Sequence, residues 1–360
     1  MCYKGGYALV RKRAAGYLCF RPQQCLINRH TGYDCAACAD SCPTGAISLK
    51  HGINIATDKC TGCGVCVNTC PTEVFHLADV SYEQWLNDAL KKTKDQSKLR
   101  IVCERATSTA TDLVVPCIGW LNECLLVALG ILHPAGYLEI DTSPCRTCRQ
   151  NKNVKIVKKN IQCARQILKG VRKPFKIRLC DKSNTPTIPR VRRQFKGFAR
   201  KLKGKLQILR QDDRQSVVEK RDILARALSE TKIVSRVSLS WHNYGNIKLL
   251  SEYCNGCGFC ARICPTHALN LITAKKEVSL QFDVYRCINC GLCTELCPEE
   301  VIKLRAGNTG QFRHASPKTL ARFRMANCIY CDRSITVPIN CEAVCPTCAR
   351  HRELAEGYLI

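Results

Sequence analysis

Acidic residues are scarce in this chain, and so are uninterrupted apolar runs. Asp and Glu total 29 against 56 Lys and Arg, a formal net charge of +27. The sequence contains no G-x-G-x-x-G and no Walker A stretch, so it gives no support for direct binding of nicotinamide, flavin or ATP. No H-E-x-x-H or Ser/His/Asp arrangement stands out either. The best membrane candidate, Cys117–Leu138, is interrupted by Asn122 and Glu123 and ended by Pro134 and Gly136. Its clean apolar part, Cys124–Leu132, is too short to span a bilayer and reads as a buried helix. The basic N-terminus has no apolar core of a secretory signal. These absences lead to the expectation of a cytoplasmic chain.

Cysteine is abundant: 30 of 360 residues, mostly in C-x2-C groups. In a chain of this length that arrangement predicts metal binding rather than a disulfide scaffold. Cys254, Cys257, Cys260, Cys264 and Pro265 spell C-x2-C-x2-C-x3-C-P, as do Cys287, Cys290, Cys293, Cys297 and Pro298. Three cysteines at this spacing wrap one iron–sulfur cube, and the fourth, before proline, leaves for the neighbouring cube. The expected sets are Cys254, Cys257, Cys260 with Cys297, and Cys287, Cys290, Cys293 with Cys264. Gly256, Gly258 and Gly291 are expected to let backbone N–H groups approach the sulfides.

Nearer the N-terminus, Cys60, Cys63, Cys66, Cys70 and Pro71 form another complete half. Its cluster would take Cys60, Cys63, Cys66 and Cys42. The other half has Cys35, Cys38, Cys42 and Pro43, but Gly32 stands where its first cysteine belongs. Cys35, Cys38 and Cys70 then need a fourth ligand. Cys25, ten residues before Cys35, is the expected substitute, and Cys19 a less direct one. A three-iron cluster and an empty site are the alternatives.

Apolar alternation predicts a short β-hairpin within each pair of halves. Ala46–Leu49 would pair with Ile53–Ile55 around Gly52, and Ala268–Ile272 with Val278–Phe282. Between the modules, "LRIVCERA", "DLVVPCIG", a helix from Trp120 and "GYLEIDTSPC" alternate strand and helix signals, which predicts a small α/β unit. Asn151–Ser240 follows with 26 Lys and Arg against 6 Asp and Glu. Within it, Asn184–Arg190 reads as a linker. Val191, Phe195, Phe198, Leu202, Leu206 and Leu209 then mark a basic amphipathic helix. At the C-terminal end, Cys328-x2-Cys331 and Cys345-x2-Cys348 have the spacing of a ribbon-like tetrahedral site, with zinc expected, iron or a further cluster as rivals, and Cys341 as a fifth cysteine. Four cubes, each adding two negative charges, would leave the net charge at about +19.

The two cysteine-rich modules resemble the two-cluster bacterial-type [4Fe–4S] ferredoxins. That resemblance covers about a third of the chain and implies a βαββαβ fold and one-electron transfer. The stretch "VPCIGWLNECLLVALG…GYLEIDTSPCRTCRQ" is similar to the small iron–sulfur (delta) subunit of hydrogenase and heterodisulfide reductase complexes. The resemblance carries over Cys103, Cys117, Cys145 and Cys148 as [2Fe–2S] ligands. The glycine-rich stretch of that family is reduced here to "DTSPCRTC". The alternative is an α/β domain that keeps the fold and binds no metal. Cys124, Cys163 and Cys180 read as buried thiols. His30, His51, His76 and His267 read as surface or hydrogen-bonding residues, and Glu299–Glu300 as a solvated helix start.

The expected architecture is therefore α+β and multidomain. It comprises ferredoxin-like modules at 1–80 and 247–306, a small α/β domain at 98–170, a basic connector at 171–240 and a four-cysteine tail at 326–360. The expected function is a non-catalytic subunit that relays electrons through four [4Fe–4S] clusters, with a possible [2Fe–2S] and one zinc, between flavin- or metal-containing partner subunits. The basic helix would wrap an acidic partner, rest on the inner face of a membrane, or serve only as a solvated connector. Two rival readings remain: a nucleic-acid-binding protein with structural clusters, disfavoured because its aromatics share one helical face, and a disulfide or thiol reductase built on the central domain.

Overall fold

Antiparallel pairing of the first and last strands recurs around both cysteine-rich segments. The computed structural model describes residues 3–4, 7–10, 18–30, 32–78, 80–181, 219–239, 243–313 and 317–357. The expected linker at 184–190 and amphipathic helix at 191–209 lie outside the described residues. The chain divides into two units, Met1–Leu168 with Lys173–Ile223, and Lys169–Arg172 with Leu224–Ile360. Helix and strand are mixed across several small sheets.

In the first unit the N-terminal elements run strand Leu18–Phe20, helix Ala37–Asp40, strands Ile47–Ser48 and Asn54–Ile55, helix Val65–Thr69 and strand Phe75–Leu77. Leu18–Phe20 pairs antiparallel with Phe75–Leu77, and the two middle strands form the expected hairpin. Its turn carries His51 and Gly52 at φ 131° and 92°, backbone that favours glycine. Strands Tyr3–Lys4 and Tyr7–Val10 extend the outer sheet.

The rest of this unit is a parallel sheet. Strands Lys98–Cys103, Leu113–Val115, Tyr137–Asp141 and Lys176–Cys180 stand in spatial order fourth, third, first, second. Parallel strands need crossovers, and helices Tyr82–Lys92, Glu123–Leu132 and Asn153–Gly170 separate or flank them. Ser81 caps the first helix, accepting from the Gln84 N–H at 3.0 Å, and Asn122 caps the second, accepting from the Leu125 N–H at 2.9 Å. The apolar helix therefore starts at Glu123 rather than Trp120, which sits in a preceding 3-10 turn. Its residues Cys124–Ile131 are buried, as the sequence led us to expect. Among the described residues, no helix is long and apolar enough to cross a membrane.

In the second unit the same element order appears: strand Gly245–Leu249, helix Phe259–Ile263, strands Leu269–Ala274 and Glu277–Phe282, helix Leu292–Glu295, strand Ile302–Ala306. The outer strands pair antiparallel and the inner two form a hairpin. Two further strands, Lys318–Asn327 and Ser334–Pro338, add to that hairpin and make one four-stranded sheet. Val278, Leu280, Phe282 and Phe323 are buried at its centre.

Candidate iron–sulfur and metal centres

Three of the four cluster loops pass through backbone that glycine tolerates best, while the Cys35 loop has Ala36 at φ −111° in that place. Gly64, Gly258 and Gly291 have φ of 71°, 69° and 84°, and each precedes the short helix that carries the next cysteine. Gly64 has a second constraint, since a Cβ there would lie 2.7 Å from Trp120 Cδ1. Trp120 is fully buried, stacked on Tyr82 at 4.3 Å and edge-on to Trp85 at 5.8 Å. Asn68, on the helix after Gly64, donates to the carbonyls of Gly119 and Leu121 at 2.8 and 3.0 Å. The cluster loop is thereby anchored to the parallel-sheet part of its own unit.

The cysteine before each proline opens a tight turn whose fourth residue is left-handed. Gly45, Glu73, His267 and Glu300 occupy that place, with φ of 61°, 51°, 53° and 52°. The turn aims the next N–H back at the sulfur. Ala46 donates to Cys42 Sγ at 3.2 Å, Val74 to Cys70 Sγ at 3.4 Å and Ala268 to Cys264 Sγ at 3.2 Å. Hydrogen bonds to sulfur stabilise the thiolate and tune a bound cluster. Glu299 and Glu300 belong to the fourth such turn and lead into strand Ile302–Ala306, not into a helix; Cys297 and Pro298 impose the turn. Three of these four turns place a non-glycine residue in left-handed backbone, so glycine content could not reveal them.

Cys25, Cys35, Cys38 and Cys70 line one cavity of about 310 Å³, with Pro71, Thr72 and Phe75 among its walls. Burial first, then the thiols of Cys70, Cys25 and Cys35, push the Cys38 thiol up to about 12. Cys19 lies instead on strand Leu18–Phe20, opposite His76. Cys66 is buried beside Cys63, Cys60, Cys38 and Cys42; burial, then these neighbours, raise its thiol well above the ordinary range. Cys38 thus neighbours both sets, which places them side by side.

The second unit repeats the crossing. Cys254, Cys257, Cys260 and Cys297 line a cavity of about 410 Å³ with Gly256, Gly258 and Phe323. Burial, then Cys254, Cys257 and Cys297, push Cys260 up to about 12. Burial, then Cys287, Cys290 and Cys264, do the same to Cys293.

In the central domain, Cys103 ends strand Lys98–Cys103, Cys117 follows strand Leu113–Val115, and Cys145 and Cys148 follow strand Tyr137–Asp141. All four stand at the carboxyl ends of parallel strands, around the point where the order reverses between the first and third strands. That crevice is where open α/β sheets bind ligands. Burial, then Cys103, Cys117 and Cys148, push Cys145 up to about 12. Asn153 Nδ2 donates to Cys117 Sγ at 3.3 Å, and Arg105 to Cys148 Sγ at 3.4 Å. Arg100 bridges Asp112 and Asp141 at 3.0 and 2.6 Å, and Asp141 accepts the Ser143 N–H at 2.8 Å, holding the loop before Cys145. Cys124 and Cys163 are buried, as expected for structural thiols, but Cys180, at the end of strand Lys176–Cys180, is only half-buried.

These donor sets suit soft, positively charged iron centres. Each set holds at least one thiol that burial and its neighbours raise, and thiols gathered this closely cannot all ionise unless a cation offsets their charge. Iron does so by binding the thiolate form. The four tail cysteines Cys328, Cys331, Cys345 and Cys348 form a further group, with all four sulfurs within 4.8 Å of one another.

Loops of this kind, crossed in pairs, define a class: the 4Fe-4S dicluster domain matches residues 33–74, 253–301 and 286–349. The chain belongs to this family, and its cysteine-rich modules are polyferredoxin-like. Among particular relatives, it is 40% identical over 58 residues to the polyferredoxin protein MvhB of Methanothermus fervidus, covering 16% of this chain and 14% of that protein. It is 32% identical over 69 residues to the pyruvate synthase subunit PorD of Methanothermobacter marburgensis, 19% of this chain and 79% of the subunit. It is 63% identical over 29 residues to Ferredoxin-3 of Desulfocurvibacter africanus, 8% of this chain and 48% of that ferredoxin. The chain therefore spans under half the length of two of these three relatives.

Proposed function

We propose that this chain is a non-catalytic electron-transfer subunit carrying four [4Fe–4S] clusters in two ferredoxin-like βαββαβ modules, 1–80 and 247–306. The observation that carries this reading is the crossing itself. In both units a C-x2-C loop and the Cys-Pro cysteine of its partner half converge on one cavity, and Cys25 joins the set that Gly32 leaves short. The ligand sets are Cys25, Cys35, Cys38 and Cys70; Cys42, Cys60, Cys63 and Cys66; Cys254, Cys257, Cys260 and Cys297; and Cys264, Cys287, Cys290 and Cys293. Bound clusters supply reversible one-electron transfer. The protein's contribution is to gather the sulfurs, aim N–H donors at them and keep neighbouring sets adjacent.

The central domain, 98–170, holds a [2Fe–2S] cluster through Cys103, Cys117, Cys145 and Cys148 in this reading. Its position at the strand ends and its sulfur hydrogen bonds support that assignment. Cys63 is among the neighbours that raise the Cys117 thiol, after burial, up to about 11, so this site adjoins the N-terminal module. Electron donors and acceptors are partner subunits of a larger redox complex, a role supported by the relative named as a pyruvate synthase subunit. Of the basic stretch, residues 182–218, outside the described residues, are the segment offered to an acidic partner or to a membrane surface, since Lys176–Cys180 pairs in the parallel sheet and Lys220 is buried on the cluster loop.

The test is anaerobic purification from the native host with iron and sulfide counts and identification of co-purifying chains. About 18 irons are expected, about 16 in cubes and two in the central site. A careful preparation with about eight irons or fewer would overturn the relay.

A further inference from the structure

The tail sulfurs are gathered differently from those of the cluster loops. Besides the common 4.8 Å limit, Cys331 Sγ and Cys345 Sγ lie 3.7 Å apart. Four thiolates around a single ion with metal–sulfur bonds of about 2.3 Å sit about 3.8 Å from one another. A cube keeps four irons and four sulfides inside its thiolates, so a group this tight cannot enclose one. Among the described residues, no cluster-loop set gathers as closely.

The site is built by its backbone. The Cys345 N–H donates to Cys328 Sγ at 3.3 Å and the Cys348 N–H to Cys345 Sγ at 3.4 Å. The Asp332 N–H closes the first knuckle on the Cys328 carbonyl at 2.9 Å, with Asp332 left-handed at φ 56°. The second knuckle runs into helix Pro346–Gly357. Cys341 takes a different part: it is exposed, and its carbonyl accepts from Arg324 at 2.8 Å.

Strand Lys318–Asn327 leads directly into this site and also pairs with Glu277–Phe282 of the second cysteine-rich module. Phe323, at its middle, is 1% exposed and walls the cavity of Cys254, Cys257, Cys260 and Cys297. A Cβ at Gly256 would lie 2.8 Å from the Phe323 ring, so ring and loop are in close contact.

We propose that the tail binds one zinc ion through Cys328, Cys331, Cys345 and Cys348, and that this ion holds the hairpin whose Phe323 covers the Cys254 loop. The third family match, 286–349, therefore does not mark a third cluster pair. Zinc suits a closed set of four thiolates, outranks ferrous iron in affinity for such a site and has no redox chemistry of its own. The zinc assignment stands apart from the relay reading. The covering role rests on the Cys254 cluster assignment.

The experiment is elemental analysis of the loaded full-length chain, together with a Cys331→Ser/Cys348→Ser double variant and Cys348→His. One zinc per wild-type chain is expected, lost in the double variant with iron unchanged and retained in Cys348→His. Wild-type chain without zinc overturns the proposal. So does a fall of one iron in the double variant (a mononuclear iron site) or of about four (a further cube). Hydrogen exchange gives a separate readout. In the double variant, exchange should rise at residues 254–260 and stay unchanged at 35–70. Unchanged exchange at 254–260 overturns the covering role while leaving the zinc count to stand or fall by itself.

Discussion

Lys220 donates its ammonium to the carbonyl oxygen of Cys70 at 3.0 Å, across 150 residues of sequence. It also donates to the carbonyls of Val67 and Asn68 at 3.3 and 2.9 Å, so one buried cation closes the end of helix Val65–Thr69. Glu73 accepts the Lys220 backbone N–H at 3.0 Å. At Cys70, burial raises the thiol, while the Val74 N–H and then the Lys220 charge pull against it. The contrasting site at Cys254 has Glu299 nearby, a charge of opposite sign.

A buried positive charge favours the more negative, reduced state of a neighbouring centre. Lys220→Met should therefore lower the midpoint potential at the Cys25–Cys35–Cys38–Cys70 site and leave the Cys254 site unchanged. It should also cost about 3 kcal/mol of stability, because three carbonyls lose their buried donor and Glu73 loses the ammonium 4.0 Å away, though it keeps the backbone N–H. EPR-monitored redox titration and thermal denaturation read the two effects. Lys220→Arg should keep most of the potential.

Cys25→Ala tests the substituted ligand. Iron should fall by one, if a three-iron cluster survives, to about four, if the site empties. Cys19→Ala should leave iron and spectra as they are. Full iron and an unchanged EPR spectrum in Cys25→Ala would remove Cys25 from the set.

Gly64→Ala and Gly52→Ala separate two reasons for glycine. Both positions have positive φ, but a Cβ at Gly64 meets Trp120 whereas at Gly52 it meets open space. Gly52→Ala should cost about 1 kcal/mol, from backbone strain alone. Gly64→Ala should cost about 2–4 kcal/mol, because the Trp120 contact adds to that strain. Denaturant titration under anaerobic conditions compares them.

His76 provides a pH dependence. Burial, then the charges of Arg21 and Lys220, lower it from 6.5 to about 4, against an opposing hydrogen bond to the Glu73 backbone. As pH falls, the unfolded chain protonates this histidine first. The folded state therefore holds its full stability above about pH 6.5 and loses it progressively down to about pH 4. His76→Gln should flatten that part of the profile. The check is the stability difference between wild type and variant at each pH, since acid lability of the clusters is common to both.

Much of the candidate site is legible in the chain itself. The C-x2-C-x2-C-x3-C-P spacings are local, and a local loop closes the same way wherever it occurs. The hairpins at 47–55 and 269–282 followed from alternation and a turn. Proposing Cys25 in place of the cysteine missing at Gly32 needed only chain length and an intact remainder, and the fold puts Cys25 in one pocket with Cys35, Cys38 and Cys70. The left-handed turns after each Cys-Pro were not legible, because Glu73, His267 and Glu300 carry no signature of positive φ. For the same reason Glu299 and Glu300 suggested a helix start and instead form a turn.

The cysteines proposed for the cluster loops are legible in the chain, because cluster ligation is written in short spacings whose geometry the backbone imposes. What surrounds them is set by contacts that form only when the chain folds. Lys220 reaches Cys70, Trp120 seats against Gly64, and Phe323 covers the Cys254 loop through contacts between segments far apart in the chain. The parallel-sheet order that brings Cys103, Cys117, Cys145 and Cys148 to one crevice is a property of strand arrangement, not of spacing. Likewise, sulfurs drawn within 4.8 Å separate a single-ion site from a cluster, a distinction that two C-x2-C knuckles leave open until the fold brings them together.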